Sequence, residues 1–304
     1  MDDARRFELE PRGPYSLAAS MRFLEGFAPA AHEGAGDHLH LAFPDAEGEP
    51  AGVCMRADGE AIAGEVFGGA DVGWARAEIE RILSLDADGR SFAAVGERDA
   101  VVGGLQQRMP GLRPVLFNSP YEAGAWALIG HRGRIVQAAR TKARMAEELG
   151  RSIDIHGDVR FAFPGPARLS GLEAFPGLFG RKAEWLRALA VAAQGGLLDA
   201  ARLRALGPAQ ALRELTELPG IGPFSAELIL LRGAGEPDCV PSAEPRLRRA
   251  VALAYDRAQE PSQRELDQLA EGWRPYRTWV SVLLRSFLEE ETGEIAGGAA
   301  SPST

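Results

Sequence analysis

The string Leu218-Pro-Gly-Ile-Gly-Pro-Phe-Ser-Ala226 constrains the fold more than any other part of this chain. Two glycines separated by one apolar residue make a tight hairpin. Periodic apolar segments on either side, Ala209 to Leu215 and Ser225 to Leu231, predict a helix before it and a helix after it. The first amides of the second helix have no intrahelical acceptor. Together with the turn amides they form an anion site that holds a phosphate without side-chain charge.

The hairpin sits in a long helical stretch. From Pro114 onward the pattern predicts helices over Tyr121–Gly130, Ile135–Leu149, Arg181–Gly195, Ala200–Leu206, Arg246–Tyr255, Gln263–Glu271 and Trp279–Glu291. Pro164-Gly165-Pro166, Pro176-Gly177 and Pro219 to Pro223 punctuate them. Residues 1–110 read differently. Phe7 to Leu9 and His38 to Phe43 alternate like half-buried strands, and Gly52 to Met55 and Ala61 to Phe67 are weaker strands around an Asp58-Gly59 hairpin signal. Helices are predicted over Ser16–Phe27, with Ser16 as N-cap, and Asp71–Leu85. The expected layout is an α+β domain over 1–110, an antiparallel sheet with two or three helices on one face. An all-α domain over 111–291 and a flexible tail over 292–304 follow. A length of 304 residues suits two domains of roughly 100–200 residues each.

Charge divides at the same place. The net charge of −9 argues, taken whole, against a phosphate-rich partner. Residues 1–110 carry −10, however, while 111–288 carry +5. All but two of the 34 basic side chains are Arg, whose planar fork suits phosphate. The N-terminus lacks the basic start and apolar run of a signal peptide, and no apolar run approaches membrane-spanning length, so a cytoplasmic chain without a membrane partner is expected. Two cysteines, Cys54 and Cys239, rule out a disulfide framework and any four-cysteine cluster. The five histidines show no metal-site spacing with Cys, so no metal site is expected, and His38-x-His40 reads as a surface pair on a strand.

Five segments in order carry a family resemblance. These are Ser119-Pro-Tyr-Glu122 with Ala125-Trp-Ala127, Phe161-Ala-Phe-Pro164, Leu178 to Leu186, the hairpin 218–226, and Trp273-Arg-Pro-Tyr-Arg-Thr-Trp279. Over about 111–290 the chain resembles the helix-hairpin-helix DNA glycosylase superfamily, specifically its DNA-3-methyladenine glycosylase II branch. The resemblance implies the fold class: an α+β N-terminal sheet domain followed by an all-α helix-hairpin-helix DNA glycosylase domain. It implies a monomer that binds double-stranded DNA in the nucleoid, flips a damaged, alkylated base from the stack and hydrolyses its N-glycosidic bond. It implies no cofactor, though a monovalent cation at the hairpin. Pro219, Gly220, Ile221, Gly222 and Ser225 would grip the DNA backbone, and His131 and Arg132 stand where the family probes the duplex.

The chemistry needs an anion near a sugar that turns positive in the transition state. The family's catalytic Asp lies six residues after the Asp of a Pro-Asp-x-Phe-Pro string. Here that string begins Pro237-Asp238, and the matching position is Glu244. Trp126, Leu228 and Arg285 would line the base pocket; Leu228 and Arg285 replace stacking aromatics. Lyase-type relatives carry a Lys inside the hairpin, where this chain has Phe224, and its only lysines are Lys142 and Lys182. Two readings follow: a monofunctional glycosylase with Glu244 in the carboxylate role, or a catalytically inactive DNA-damage-binding protein that keeps the fold.

Overall fold

The computed structural model describes residues 5–26, 36–45 and 47–293. Phe27, His32 and the expected tail from residue 294 lie outside them. The alternating segments of the first third form strands β1 (Arg6–Leu9), β2 (His38–Pro44), β3 (Pro50–Asp58) and β4 (Ala61–Phe67). They pair antiparallel in the order β1-β4-β3-β2. The Asp58-Gly59 signal is the β3–β4 turn, which Gly59 makes with φ 63°. One face is apolar: Leu39, Val53, Met55, Ile62 and Val66 are buried against helices α1 (Leu17–Glu25) and α2 (Val72–Ile82). Ser16 caps α1 by accepting the amide of Ala19, and Asp71 caps α2 through the amide of Trp74.

Helices α3 (Ala93–Arg98) and α4 (Ala100–Arg108) leave that layer. Val95, Val102 and Leu105 join a core made with α12 (Pro245–Ala254), α13 (Gln263–Ala270) and α14 (Arg277–Thr292), so this core has helices from both sides of residue 110. Asp99 caps α4, and its Oδ2 accepts the Tyr255 hydroxyl at 2.6 Å and the Trp273 indole at 3.2 Å. A third core joins α5 (Pro120–Gly130), α6 (Ile135–Leu149), α7 (Pro166–Leu169), α8 (Lys182–Gln194), α9 (Ala200–Ala205), α10 (Pro208–Thr216) and α11 (Pro223–Glu227). No helix among the described residues is long and apolar enough to cross a membrane.

Two local expectations are corrected. The helical region contains an antiparallel hairpin, β5 (Arg151–Ile155) and β6 (Asp158–Ala162). Its two-residue turn, His156-Gly157, has φ of 56° and 84°, the primed geometry that matches strand twist, and Asp154 accepts the Gly157 amide at 2.7 Å. The hairpin packs beside β2 and β3. It therefore covers the outer face of the sheet and overturns the reading of His38-x-His40 as a surface pair. His40 is only 5% exposed, and its Nδ1 bonds Asp158 Oδ2 at 2.9 Å.

The segment expected as one helix after the hairpin changes form midway. From Leu228 to Ala234 the backbone widens into a π-helix. Gly233 lies directly against α5, where a Cβ would come within 2.7 Å of Pro120 Cα. Arg81 of α2 reaches the same place. Its guanidinium donates to the carbonyls of Gly233 (2.6 Å), Phe117 (3.2 Å) and Asn118, and it pairs with Glu78 at 2.9 Å. Removing it strands buried carbonyls. Arg81→Met is therefore expected to lower stability by about 2–4 kcal/mol, read as a shifted urea midpoint with an unchanged m-value.

Candidate nucleic-acid interface

The hairpin Leu218–Gly222 joins α10 to α11 as expected. The Ile221 amide donates to the Leu218 carbonyl at 3.0 Å, closing the turn, and Ile221 is buried as its anchor. The two glycines serve different ends. Gly220 has φ 82°, and a Cβ there would lie 2.5 Å from the Trp185 ring and 2.9 Å from Leu128. Gly222 has φ −98°, which any residue adopts, and a Cβ there would meet nothing within 4 Å. The fold needs the first glycine and leaves the second open to solvent.

Gly222 is the N-cap of α11, and Pro223 occupies the first helical position. No side chain caps this end. The amides of Phe224 and Ser225 stand in that uncapped turn, beside exposed Pro219, Gly222 and Pro223 and half-buried Ser225. A hard monovalent cation takes oxygen ligands, and the hairpin's carbonyls are the oxygens on offer. Those of Leu218 and Gly222 already accept the amides of Ile221 and Ala226, each keeping a second lone pair.

Trp185, under Gly220, also touches the loop after α5. Its ring lies 5.5 Å from that of His131, edge to face. Lys182 fixes the start of this loop by donating to the Ile129 carbonyl at 2.7 Å, at the end of α5. Burial pulls its amine below the usual lysine range. Arg132 follows in the left-handed region with φ 49° and is exposed, so the chain holds a side chain outward at some backbone cost. Beyond it lies a groove of about 710 Å³ lined by Arg132, Arg134, Arg140, Arg144, Arg181 and Lys182. The sequence reading missed this groove, because its cations come from two segments about forty residues apart. The other lysine is committed elsewhere: Lys142 pairs with buried Glu122 at 2.6 Å.

Glu244 is the N-cap of α12, with Pro245 at the first helical position. Its side chain is 14% exposed and accepts the Arg246 amide at 3.1 Å and Arg246 Nε at 3.0 Å, while Arg285 Nε stands 4.0 Å away. Burial alone would raise its pKa. The hydrogen bonds from Arg246 and the charges of Arg285 and Arg246 outweigh that and hold it below the usual carboxylate range. Glu244 is thus a sheltered anion at neutral pH.

The loop carrying Glu244 is held from two sides. Asp238 accepts Arg277 Nε at 2.7 Å and Arg274 Nη1 at 2.9 Å, and the Thr278 amide donates to the Pro237 carbonyl at 3.0 Å. The terminal Trp-Arg-Pro-Tyr-Arg string is therefore the clamp on Asp238. On the other side Glu227, the last residue of α11, accepts the Ser242 hydroxyl at 2.8 Å and the Ala243 amide at 2.9 Å. Burial raises the Glu227 pKa, and these bonds oppose the rise. Sequence reasoning missed Glu227; its only signal was a carboxylate at an otherwise apolar, inward helical position. α11 rises about 7.5 Å at 1.5 Å per residue, so one short helix spans from the open hairpin to the Glu244 loop.

Of the residues expected to line a pocket, Arg285 is beside Glu244. Leu228 begins the π-helical segment, one residue after Glu227. Trp126 lies on α5. Leu228 and Trp126 are half-buried against the same core.

No family profile matches the chain. It is 23% identical over 219 residues to a DNA-3-methyladenine glycosylase of Bacillus subtilis, covering 69% of this chain and 72% of that one. It is 29% identical over 232 residues to a Mycobacterium tuberculosis protein described as a probable bifunctional transcriptional activator/DNA repair enzyme AlkA. That match covers 74% of this chain and 45% of the relative, so the chain spans less than half of that protein. Among solved structures, a 3-methyladenine DNA-glycosylase from Archaeoglobus fulgidus superposes with a TM-score of 0.77 over 95% of this chain and 99% of that one, at 23% identity.

Proposed function

From a chain whose fold and relatives are those of the helix-hairpin-helix DNA glycosylases, in their 3-methyladenine branch, we propose a base-excision DNA glycosylase that acts on alkylated bases in double-stranded DNA. The single observation that carries the reading is Glu244. It is a sheltered, ionised carboxylate on a loop tied by Glu227 to the helix that follows the exposed glycine hairpin. A glycosyl bond broken by water needs such an anion beside the sugar, where positive charge develops.

The amides of Gly222, Phe224 and Ser225 receive a backbone phosphate, and a cation on the hairpin carbonyls would add positive charge there. Arg132, held outward at positive φ, enters the duplex or grips the opposite strand. The arginines of the adjoining groove extend the contact electrostatically. Glu244, with Arg285 at its side, faces the extruded nucleotide, and Trp126 and Leu228 supply apolar pocket wall. Phe224 stands at the hairpin position where lyase-type relatives carry a Lys, so the reaction uses water rather than a Schiff base and is monofunctional. The remaining finer points, a monomer acting in the nucleoid and a division near residue 110, belong to the same proposal.

Single-turnover assays on duplexes carrying 3-methyladenine or 7-methylguanine test it, with a duplex carrying deaminated hypoxanthine as the comparison. Release of the alkylated base with an abasic product is the expected result. Lesion-selective binding with no abasic product would instead establish the inactive, damage-binding reading.

The depressed Glu244 pKa also sets a stability profile. A carboxylate held below its unfolded value contributes stability above that value and loses it as pH falls through the folded one. Thermal melts below about pH 4.3, the ordinary Glu value, should therefore show a steeper acid loss in the wild type than in Glu244→Gln.

A further inference from the structure

The outer face of the N-terminal sheet gathers metal-binding side chains that the DNA reading does not use. Register brings them together. His40 on β2 stands directly opposite Cys54 on β3, and His38, two residues before His40, shares their face. One ring nitrogen of each histidine and the Cys54 sulfur lie within 4.8 Å of one another, and His38 Nδ1 is 3.2 Å from Cys54 Sγ. A tetrahedral ion with bonds of about 2.0 Å to nitrogen and 2.3 Å to sulfur spaces its ligand atoms roughly 3.5 Å apart. A shift of about 1 Å closes the set.

The His40 ring is already oriented, and an acidic group stands near the second nitrogen of His38. His40 Nδ1 bonds Asp158 Oδ2 at 2.9 Å, and His38 Nε2 lies 3.4 Å from Asp37 Oδ1. On His40 that hydrogen-bonded carboxylate fixes the tautomer that presents the other nitrogen to a metal. His40 Nε2 is that other nitrogen. It is buried and has no hydrogen-bond partner, in a side chain that is 5% exposed. A buried polar atom left so is costly, and a metal ion satisfies it. An open cavity of about 530 Å³ gives access, bordered by Asp37, His38, His40, His156, Gly157 and Asp158.

We propose that His38, His40 and Cys54 bind a divalent transition-metal ion, Zn²⁺ foremost. Two imidazoles and a thiolate are borderline-to-soft donors, which select Zn²⁺ or Co²⁺ over Mg²⁺ or Ca²⁺. The fourth position is open to water, with His156 at its edge. On binding, the Cys54 thiol gives its proton to solvent and the sulfur bonds the metal as thiolate. The ligands come from β2 and β3 and the orienting Asp158 from β6, so the ion fastens the β5–β6 hairpin to the sheet.

Co²⁺ titration of the reduced, metal-free full-length chain tests this. The expected result is one Co²⁺ per chain, with an intense thiolate-to-cobalt band in the near ultraviolet and visible bands of tetrahedral strength, both displaced by Zn²⁺. Cys54→Ser should abolish the near-ultraviolet band, and Cys239→Ser should keep it. His38→Ala, at a ring 34% exposed and so with little at stake for folding, should weaken Co²⁺ binding at least tenfold. Asp158→Asn should weaken it about 10- to 100-fold while leaving the band shape. Zn²⁺ should raise the melting midpoint of the wild type and not of Cys54→Ser. No Co²⁺ binding by the wild type, or a charge-transfer band that survives Cys54→Ser, would overturn the proposal. Circular dichroism of each metal-free variant separates lost ligation from lost fold.

Discussion

Glu244→Gln is expected to reduce single-turnover base release by about 10²-fold or more, the scale of losing one electrostatic stabiliser of a transition state. Duplex affinity should be unchanged or improved, because a negative charge leaves the interface. The substitution keeps the size of the side chain, and its amide oxygen still accepts the Arg246 amide, so the N-cap survives in weaker form. A purely structural Glu244 would then show a stability loss of about 1 kcal/mol or less with no matching fall in rate. Rate unchanged in Glu244→Gln would remove the carboxylate from the chemistry. Glu244→Asp is the finer probe. It shortens the reach by roughly 1 Å, and displacements of that size change rates by about 10²-fold. Arg246 and Arg285 hold the longer side chain where it is, so the direction of the Asp effect reports whether this site is tuned to Glu.

Gly222→Asp should separate binding from folding. The position has an ordinary φ and open space around its missing Cβ, and Asp is a better N-cap than Gly by a few tenths of a kcal/mol. The melting midpoint should stay or rise slightly. The new carboxylate sits at the amides proposed for phosphate. Two like charges 4 Å apart repel by about 4 kcal/mol near a protein surface before salt screening. Duplex affinity measured by fluorescence anisotropy should therefore fall at least about tenfold at low salt, and the gap should narrow as salt is added. Equal affinities across the salt series would take the hairpin out of the interface. Gly220 cannot serve in this way, since any side chain there strikes Trp185 and the structural loss masks the binding loss.

Local chemistry was legible wherever one segment contained its own explanation. The glycine hairpin, the β3–β4 turn and the caps at Ser16 and Asp71 each follow from a few adjacent residues. The β5–β6 hairpin was as readable: Ile153, Ile155, Val159 and Phe161 alternate around His156-Gly157. It was missed because the helices on either side dominate the pattern. The π-helix was not readable, since no local sequence signal marks it; within it Gly233 packs against α5, a contact that only the fold creates. The Glu227 brace, the arginine groove and the His38–His40–Cys54 cluster were hidden for a common reason. Each depends on residues from separate segments that only register or helix packing brings together. Glu244 lies between these cases. Its position followed from the family's spacing, and Arg246, two residues on, is the main group holding it ionised against burial; the further help from Arg285, forty-one residues away, was hidden.

In the proposed reaction, the hairpin residue Phe224 and the places taken by the two lysines set what happens after the base is gone. One amine donates to the Ile129 carbonyl, the other neutralises Glu122, and the hairpin has Phe224 where a lyase carries its Lys, so the proposed reaction places no amine to condense with an aldehyde sugar. Borohydride added during turnover should therefore leave no covalent protein–DNA adduct. The opened site would be handed on with both strands continuous, and the nick that begins resynthesis would have to be cut by a different protein.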